Sequence, residues 1–144
     1  MAGRRVAASG TLVLDSEGLS KFAAGESRVL ARVKGARARG ARVVVSAITL
    51  AEVLRGGSRD ASVHRVLSRI TTVPVTPELG RAAGELLGAT SLSGHRCAID
   101  SVVAATALGM ARPVMLLTSD ANDMSRLVEE LDAAKEHRVA VVHV

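Results

Sequence analysis

The chain has 144 residues, a net charge of +5 and an apolar content of 48%, which excludes a disordered protein and fits one domain. It contains no Trp or Tyr and a single Phe, which excludes recognition of nucleic acid by stacking bases on aromatic side chains. Its one cysteine, Cys97, excludes an internal disulfide and a cysteine-rich zinc site.

Short apolar runs rich in β-branched residues alternate along the chain with segments of helical periodicity. Because the runs are apolar at consecutive positions, they are typical of parallel strands buried on both faces. They predict strands at residues 12–14, 43–45, 72–75, 114–117 and 139–144. Helical spacing occurs around residues 29–33, 50–54, 63–70, 79–87, 99–110 and 127–131. This alternation predicts an α/β domain with a mainly parallel sheet and helices on both faces.

The domain is predicted to span residues 11–144, after a loose N-terminal leader over residues 1–10. The residues after Arg4 and Arg5 include no apolar stretch of signal-peptide length, and no run approaches the ~20 residues of a membrane span. We therefore expect a cytoplasmic protein that has no signal peptide and makes no contact with a membrane.

The positive charge is unevenly distributed. Residues 1–72 carry a net charge of +8, whereas residues 73–144 carry −3. The segment 28–42 holds six cations and no acid, which is compatible either with an RNA-facing surface or with an ordinary solvated helix face. The uneven distribution leaves room for an acidic pocket on a basic protein.

Acidic residues follow the predicted strands at the points where a parallel sheet carries its sites. Asp15 ends the first strand, and Asp120 follows the fourth, with Asp123 three residues further on. Glu52 lies in the short helix after the second strand, and Asp100 lies in an Ala-rich helix. We expect these carboxylates to converge at one edge of the sheet.

Each acid also has a purely structural interpretation. Asp15 and Asp120 suit turn or N-cap positions, Asp123 suits the first turn of a helix, and Glu52 suits an exposed helix position. Asp100 is harder to explain in this way because it lies between Ile99 and Val102 in a helix almost free of charge. Glu17, next to Asp15, is interpreted as a first-turn acid of a following helix.

Converging carboxylates repel one another and raise each other's pKa unless a cation lies among them. Oxygen ligands without His or Cys favour Mg²⁺ or Mn²⁺ over zinc. Such ions serve phosphoryl chemistry, and arginine-rich surfaces hold polyanions. The combination predicts an enzyme that cuts a phosphodiester backbone.

In four segments the sequence resembles the PIN domain, specifically the small VapC-like toxins of bacterial toxin–antitoxin pairs. The segments are Asp15-Ser16 after the first strand, residues 46–56 with Glu52, residues 99–108 with Asp100, and residues 116–123 with Asp120 and Asp123. The resemblance implies a three-layer α/β/α sandwich with about five strands. It also implies a metal-dependent endoribonuclease that acts on RNA, a cognate antitoxin partner and a homodimer.

By this resemblance, Asp15 and Asp100 are the main ligands of Mg²⁺ or Mn²⁺, Glu52 and Asp120 complete a catalytic quartet, and Asp123 is a fifth metal ligand. Ser16 and Thr118 match positions that usually carry a supporting hydroxyl. Two alternatives stay open: a PIN-like module that binds RNA or protein without cutting, and a domain that accepts a phosphate on Asp15. Residues 91–97 are predicted to form a loop, from which His95 and Arg96 could reach a phosphate.

Overall fold

The computed structural model describes residues 10–144, so that all of the predicted leader except Gly10 lies outside the described residues. Five parallel strands form one sheet in the order β3-β2-β1-β4-β5. They are β1 (Thr11–Leu14), β2 (Arg42–Ser46), β3 (Thr71–Val73), β4 (Val114–Thr118) and β5 (Ala140–His143). The predicted parallel sheet is confirmed, since every neighbouring pair of strands runs parallel, and β1 in the middle of the sheet is buried at every position.

Within residues 10–144, seven α-helices connect the strands. They are α1 (Ser16–Ala23), α2 (Ser27–Ala38), α3 (Ala47–Val53), α4 (Ala61–Leu67), α5 (Pro77–Thr90), α6 (Gly94–Leu108) and α7 (Ala121–Leu127). Helix α1 confirms Glu17 as a first-turn acid. No helix within residues 10–144 is long and apolar enough to cross a membrane.

The core lies in two layers, one on each face of the sheet. Leu12 and Leu14 of β1 face a cluster that includes Leu19 of α1 and Val29 of α2. Val13 faces the opposite cluster, which includes residues of α6 and α7. This alternation along β1 confirms the three-layer α/β/α sandwich.

Two helix boundaries differ most from the prediction. Helix α6 begins at Gly94, where the Ser93 hydroxyl accepts a hydrogen bond from the amide of Arg96 at 3.4 Å. The predicted loop over residues 91–97 is therefore wrong for residues 94–97, because the Ser93 cap starts the helix early. The last predicted helix is shorter than expected: α7 ends at Leu127, and Leu131 is 74% exposed.

Candidate metal centre

Asp15 joins the ends of the two central strands. Its side chain is 5% exposed, and Oδ1 accepts a hydrogen bond from the amide of Gly18 at 2.9 Å. Oδ2 accepts from the amide of Ser119, which directly follows β4, at 3.3 Å. Asp15 thus caps α1, as its structural interpretation required, and also holds the carboxyl end of β4 beside that of β1.

Gly18 is required for this close packing of α1 on β4. A Cβ atom at this position would lie 3.2 Å from the carbonyl oxygen of Leu117. Such a contact is tight, so a larger residue would push α1 away from the strand ends. The glycine therefore helps to place Asp15 above the sheet.

Asp120 and Asp123 lie at the start of α7, immediately after β4. The buried Thr118 hydroxyl accepts a hydrogen bond from the amide of Asp120 at 2.9 Å, which fixes the turn. Asp120 occupies the N-cap position, but its side chain makes no capping hydrogen bond there, and Asp123 lies in the first turn. The Asp120 carboxylate is thus not used by the helix.

Asp100 of α6 meets these two acids. Asp100, Asp120 and Asp123 each offer a carboxylate oxygen, and the three oxygens lie within 4.8 Å of one another. Among residues 10–144 no other three Asp, Glu, His or Cys side chains come together so closely. The structure therefore assembles a compact acidic group from α6 and α7.

The electrostatics of Asp100 reflect this crowding. Burial raises the pKa of Asp100 from 3.8 to about 7, with further contributions from a hydrogen bond to Asp120 and from the charges of Asp120, Asp15 and Glu52. Asp15 and Glu52 are therefore near neighbours of Asp100, although they do not belong to the compact group of three oxygens. Mutual repulsion is the effect expected of converging carboxylates without a cation.

Glu52 lies in the last turn of α3. Burial raises its pKa, and the charge of Asp15 acts in the same direction, whereas a hydrogen bond from the Ser16 hydroxyl and the charge of Arg55 oppose the shift. The Ser16 hydroxyl, at the first position of α1, thus lies near the Glu52 carboxylate.

Cys97 borders the site from within α6. Its side chain is buried, and Sγ lies 3.9 Å from Oδ2 of Asp123. Burial raises the pKa of the thiol, and the charges of Asp123 and Asp100 raise it further. Cys97 is therefore kept protonated, which is unfavourable for a nucleophile.

The side chains that the sequence analysis considered for contact with nucleic acid differ in their positions. His95 and Arg96 are exposed in the first turn of α6. Arg39, near the end of the basic segment 28–42, lines a cavity with Thr11 and Pro113 at the amino ends of the central strands. This end of the basic segment therefore lies at the sheet edge opposite the acids.

Sequence reasoning missed Asp60, which organises the loop after α3. Asp60 is 4% exposed, and Oδ2 accepts hydrogen bonds from the amides of Gly56 at 2.7 Å and Arg55 at 3.0 Å. These hydrogen bonds lower its pKa, that from Gly56 most. An acid just beyond the Gly56-Gly57 pair was the available signal, since a glycine turn needs a partner for its free amides.

The donor set fits a hard divalent cation. Asp100, Asp120 and Asp123 present only oxygen atoms, and Asp15 and Glu52 add two carboxylates beside them. A divalent ion would offset both the burial and the repulsion that raise the pKa of Asp100. The residues present are thus compatible with a magnesium or manganese site.

The fold and this acidic group define an α/β/α domain with a compact group of carboxylates above its central strands. The model of the PIN domain family matches residues 12–130, and the chain belongs to this family. The resemblance to PIN domains inferred from the sequence is thereby confirmed.

Two solved structures share the fold at low sequence identity. One is the crystal structure of VapBC2 from Rickettsia felis bound to a promoter DNA fragment. It gives a TM-score of 0.65 at 16% identity, over 93% of this chain and 98% of that chain. FitAB bound to an IR36 DNA fragment gives a TM-score of 0.62 at 18% identity, over 92% and 94% of the two chains. A search of curated proteins found no significant match.

Proposed function

We propose that this protein is a metal-dependent endoribonuclease that hydrolyses RNA phosphodiester bonds and acts as the toxin of a toxin–antitoxin pair. The observation that carries this proposal is the meeting of the Asp100, Asp120 and Asp123 carboxylates above the central strands of a PIN domain. A group of unpaired acids is costly for folding, which favours a functional reason for keeping it.

In this proposal Asp100, Asp120 and Asp123 hold Mg²⁺ or Mn²⁺, with Asp15 and Glu52 beside them. When bound, such an ion lowers the pKa of a water molecule and offsets negative charge on the phosphate. Asp15 stabilises the arrangement of the site by accepting hydrogen bonds from the amides of Gly18 and Ser119.

Two of the other acids lie beside hydroxyl groups. The Ser16 hydroxyl lies near Glu52 and favours its charged form. The Thr118 hydroxyl fixes the backbone of Asp120, so that its carboxylate stays available to a cation. The site therefore needs little rearrangement to accept the ion, which favours catalysis by preorganisation.

An antitoxin partner is proposed from the resemblance to VapC-like toxins, together with the similarity in fold to VapBC2 and FitAB. A groove of about 490 Å³ between α1 and α2 suits such a partner, because apolar Phe22 and Leu30 line it beside Lys34 and Arg37. An antitoxin segment that combines apolar and acidic side chains would complement this groove. We further propose that the protein is a homodimer and acts in the cytoplasm.

The test of the enzymatic proposal is cleavage of total RNA with Mg²⁺ or Mn²⁺, with and without EDTA. We expect cleavage that EDTA abolishes and that falls at least about 100-fold in Asp100→Asn and Asp15→Asn. Asp132→Asn is the matched control, since Asp132 is an exposed acid outside the site. Full activity in Asp15→Asn and Asp100→Asn would refute the proposed site.

The same experiment separates the alternative of a non-catalytic binding module. That alternative predicts RNA binding that needs no metal and survives the Asp100 substitution, with no cleavage under any condition. The toxin role is tested by expression in a bacterial host. Growth arrest by the wild type and normal growth with Asp100→Asn are expected, and equal growth of both strains would refute the role.

A further inference from the structure

Arg55 is held against the turn of α3 that carries Glu52. Its Nη1 atom donates hydrogen bonds to the carbonyl oxygens of Ala51 at 3.1 Å and Leu54 at 2.8 Å. Since Glu52 lies between these two residues, the guanidinium group stays at the same helix end as the Glu52 carboxylate. This interaction also satisfies carbonyl groups that the end of α3 leaves free.

The backbone of Arg55 is anchored as firmly as its side chain. The buried Asp60 carboxylate accepts hydrogen bonds from the amides of Arg55 and Gly56. Hydrogen bonds to a charged acceptor are stronger than hydrogen bonds between neutral groups. Gly56 and Gly57 have φ values of 87° and 86°, so the chain turns sharply directly after Arg55. Asp60 therefore fixes the point at which Arg55 leaves α3.

The charge of Arg55 is exposed, and it forms no ion pair within residues 10–144. No Asp or Glu oxygen lies within 4.0 Å of its nitrogen atoms in the part of the chain that the structure describes. Its Nε and Nη2 groups make no hydrogen bond with those residues either. A fixed guanidinium group with free N–H donors is well suited to bind a phosphate in two-point fashion.

We propose that Arg55 binds a backbone phosphate of RNA next to the acidic site, and that Asp60 is the residue that positions it. This inference rests on the proposed function, because it takes RNA as the ligand. Arg55 supplies a positive group beside carboxylates that would otherwise repel the backbone, so substrate can approach the acids from the α3 side.

The test is RNA binding by protein that cannot cleave, with Asp100→Asn as the common background. The probe is a short fluorescein-labelled RNA of random sequence, and fluorescence anisotropy gives Kd over a range of KCl concentrations. Arg55→Ala is expected to weaken binding about tenfold, because a hydrogen-bonded charge pair is lost. The slope of log Kd against log salt should fall by about 0.7, the value for one phosphate contact on a single strand.

Two matched variants control for charge alone. Arg59→Ala removes an exposed cation from the same loop and should leave Kd and the salt slope unchanged. Arg55→Lys keeps the charge and should restore the salt slope while recovering only part of the affinity. An unchanged Kd in Arg55→Ala, or an equal loss in Arg59→Ala, would overturn the assignment.

The role of Asp60 is tested by a double-mutant cycle. Asp60→Ala should weaken RNA binding, and adding it to Arg55→Ala should cause no further loss, since both changes remove the same contact. Additive losses would overturn the positioning role. Asp60→Asn keeps an oxygen acceptor for both amides and should retain most of the affinity, which provides a second variant if Asp60→Ala unfolds.

The outcomes separate this inference from the proposed function. If the wild type cleaves RNA but Arg55→Ala on the Asp100→Asn background binds RNA unchanged, only the inference fails. If the wild type does not cleave RNA but binding depends on Arg55, only the nuclease proposal fails. Absence of RNA binding in the Asp100→Asn protein would overturn the inference directly.

Discussion

Replacement of Asp100 by Asn is expected to stabilise the metal-free protein at alkaline pH. The pKa of Asp100 is raised from 3.8 to about 7, so the folded state holds a proton that the unfolded chain releases. Below pH 3.8 Asp100 is protonated in both the folded and the unfolded state. Between pH 3.8 and about pH 7 the free energy of unfolding falls as pH rises, and above about pH 7 the full loss of stability is present. Asn carries no charge and removes this penalty.

The expected gain is smaller than the shift alone suggests. One pKa unit corresponds to about 1.4 kcal/mol, but solvent screens a half-buried carboxyl, so we expect a gain of about 1–2 kcal/mol at about pH 8. For a chain of this size the gain corresponds to a rise in Tm of about 3–8 °C. At about pH 5 the gain should be less than half as large, because Asp100 is then largely protonated in the folded state.

The assay is thermal unfolding in EDTA followed by far-UV circular dichroism, since the chain has no Trp or Tyr for intrinsic fluorescence. Asp132→Asn serves as the control and should leave Tm unchanged at both pH values. Saturating Mg²⁺ or Mn²⁺ should stabilise the wild type and stabilise Asp100→Asn less. A lower Tm for Asp100→Asn at about pH 8, or an equal rise at both pH values, would refute the reasoning.

Three further predictions concern the fold around the site. Leu117→Ala should lower the free energy of unfolding by about 3 kcal/mol in urea titrations, because Leu117 is fully buried, whereas Leu131→Ala, at a 74% exposed position, should change it little. Asp60→Ala should lower Tm more than Asp60→Asn does, because only Ala leaves the amides of Arg55 and Gly56 without an acceptor; equal losses would contradict this. Cys97 should react slowly with iodoacetamide in the native protein and rapidly in urea, because burial raises its pKa; rapid native labelling would contradict its placement.

Most elements of the fold were predictable because their signals are local. The runs at residues 43–45 and 114–117 are apolar at every position. Such runs are typical of strands that are covered on both faces of a sheet. The Thr76-Pro77 pair marks the start of α5, and the Thr76 hydroxyl accepts the amide of Leu79 at 3.2 Å. The start of α6 was missed because Gly94 and His95 are weak helix formers, so the Ser93 cap outweighed their propensity.

The convergence of the acids was predictable from the sequence, but their arrangement was not. The order of the acids along the chain indicated convergence, since carboxyl ends of parallel strands share one edge. The chain order did not show that β1 and β4, about a hundred residues apart, are neighbours, and it gave no sign of the bond between Asp15 and Ser119. It also did not show which acids come closest together.

The sequence by itself determined the strands, most helices and the set of acids near the strand ends, because these depend on residue chemistry and short spacings. Only the tertiary structure decided that Asp100, Asp120 and Asp123 form the compact group while Asp15 is occupied by two amides. Only the tertiary structure placed the Arg55 side chain against α3 and the Asp60 carboxylate on the Arg55 amide. These arrangements depend on how distant segments pack across the sheet, and the contacts that decide them have no counterpart in local sequence.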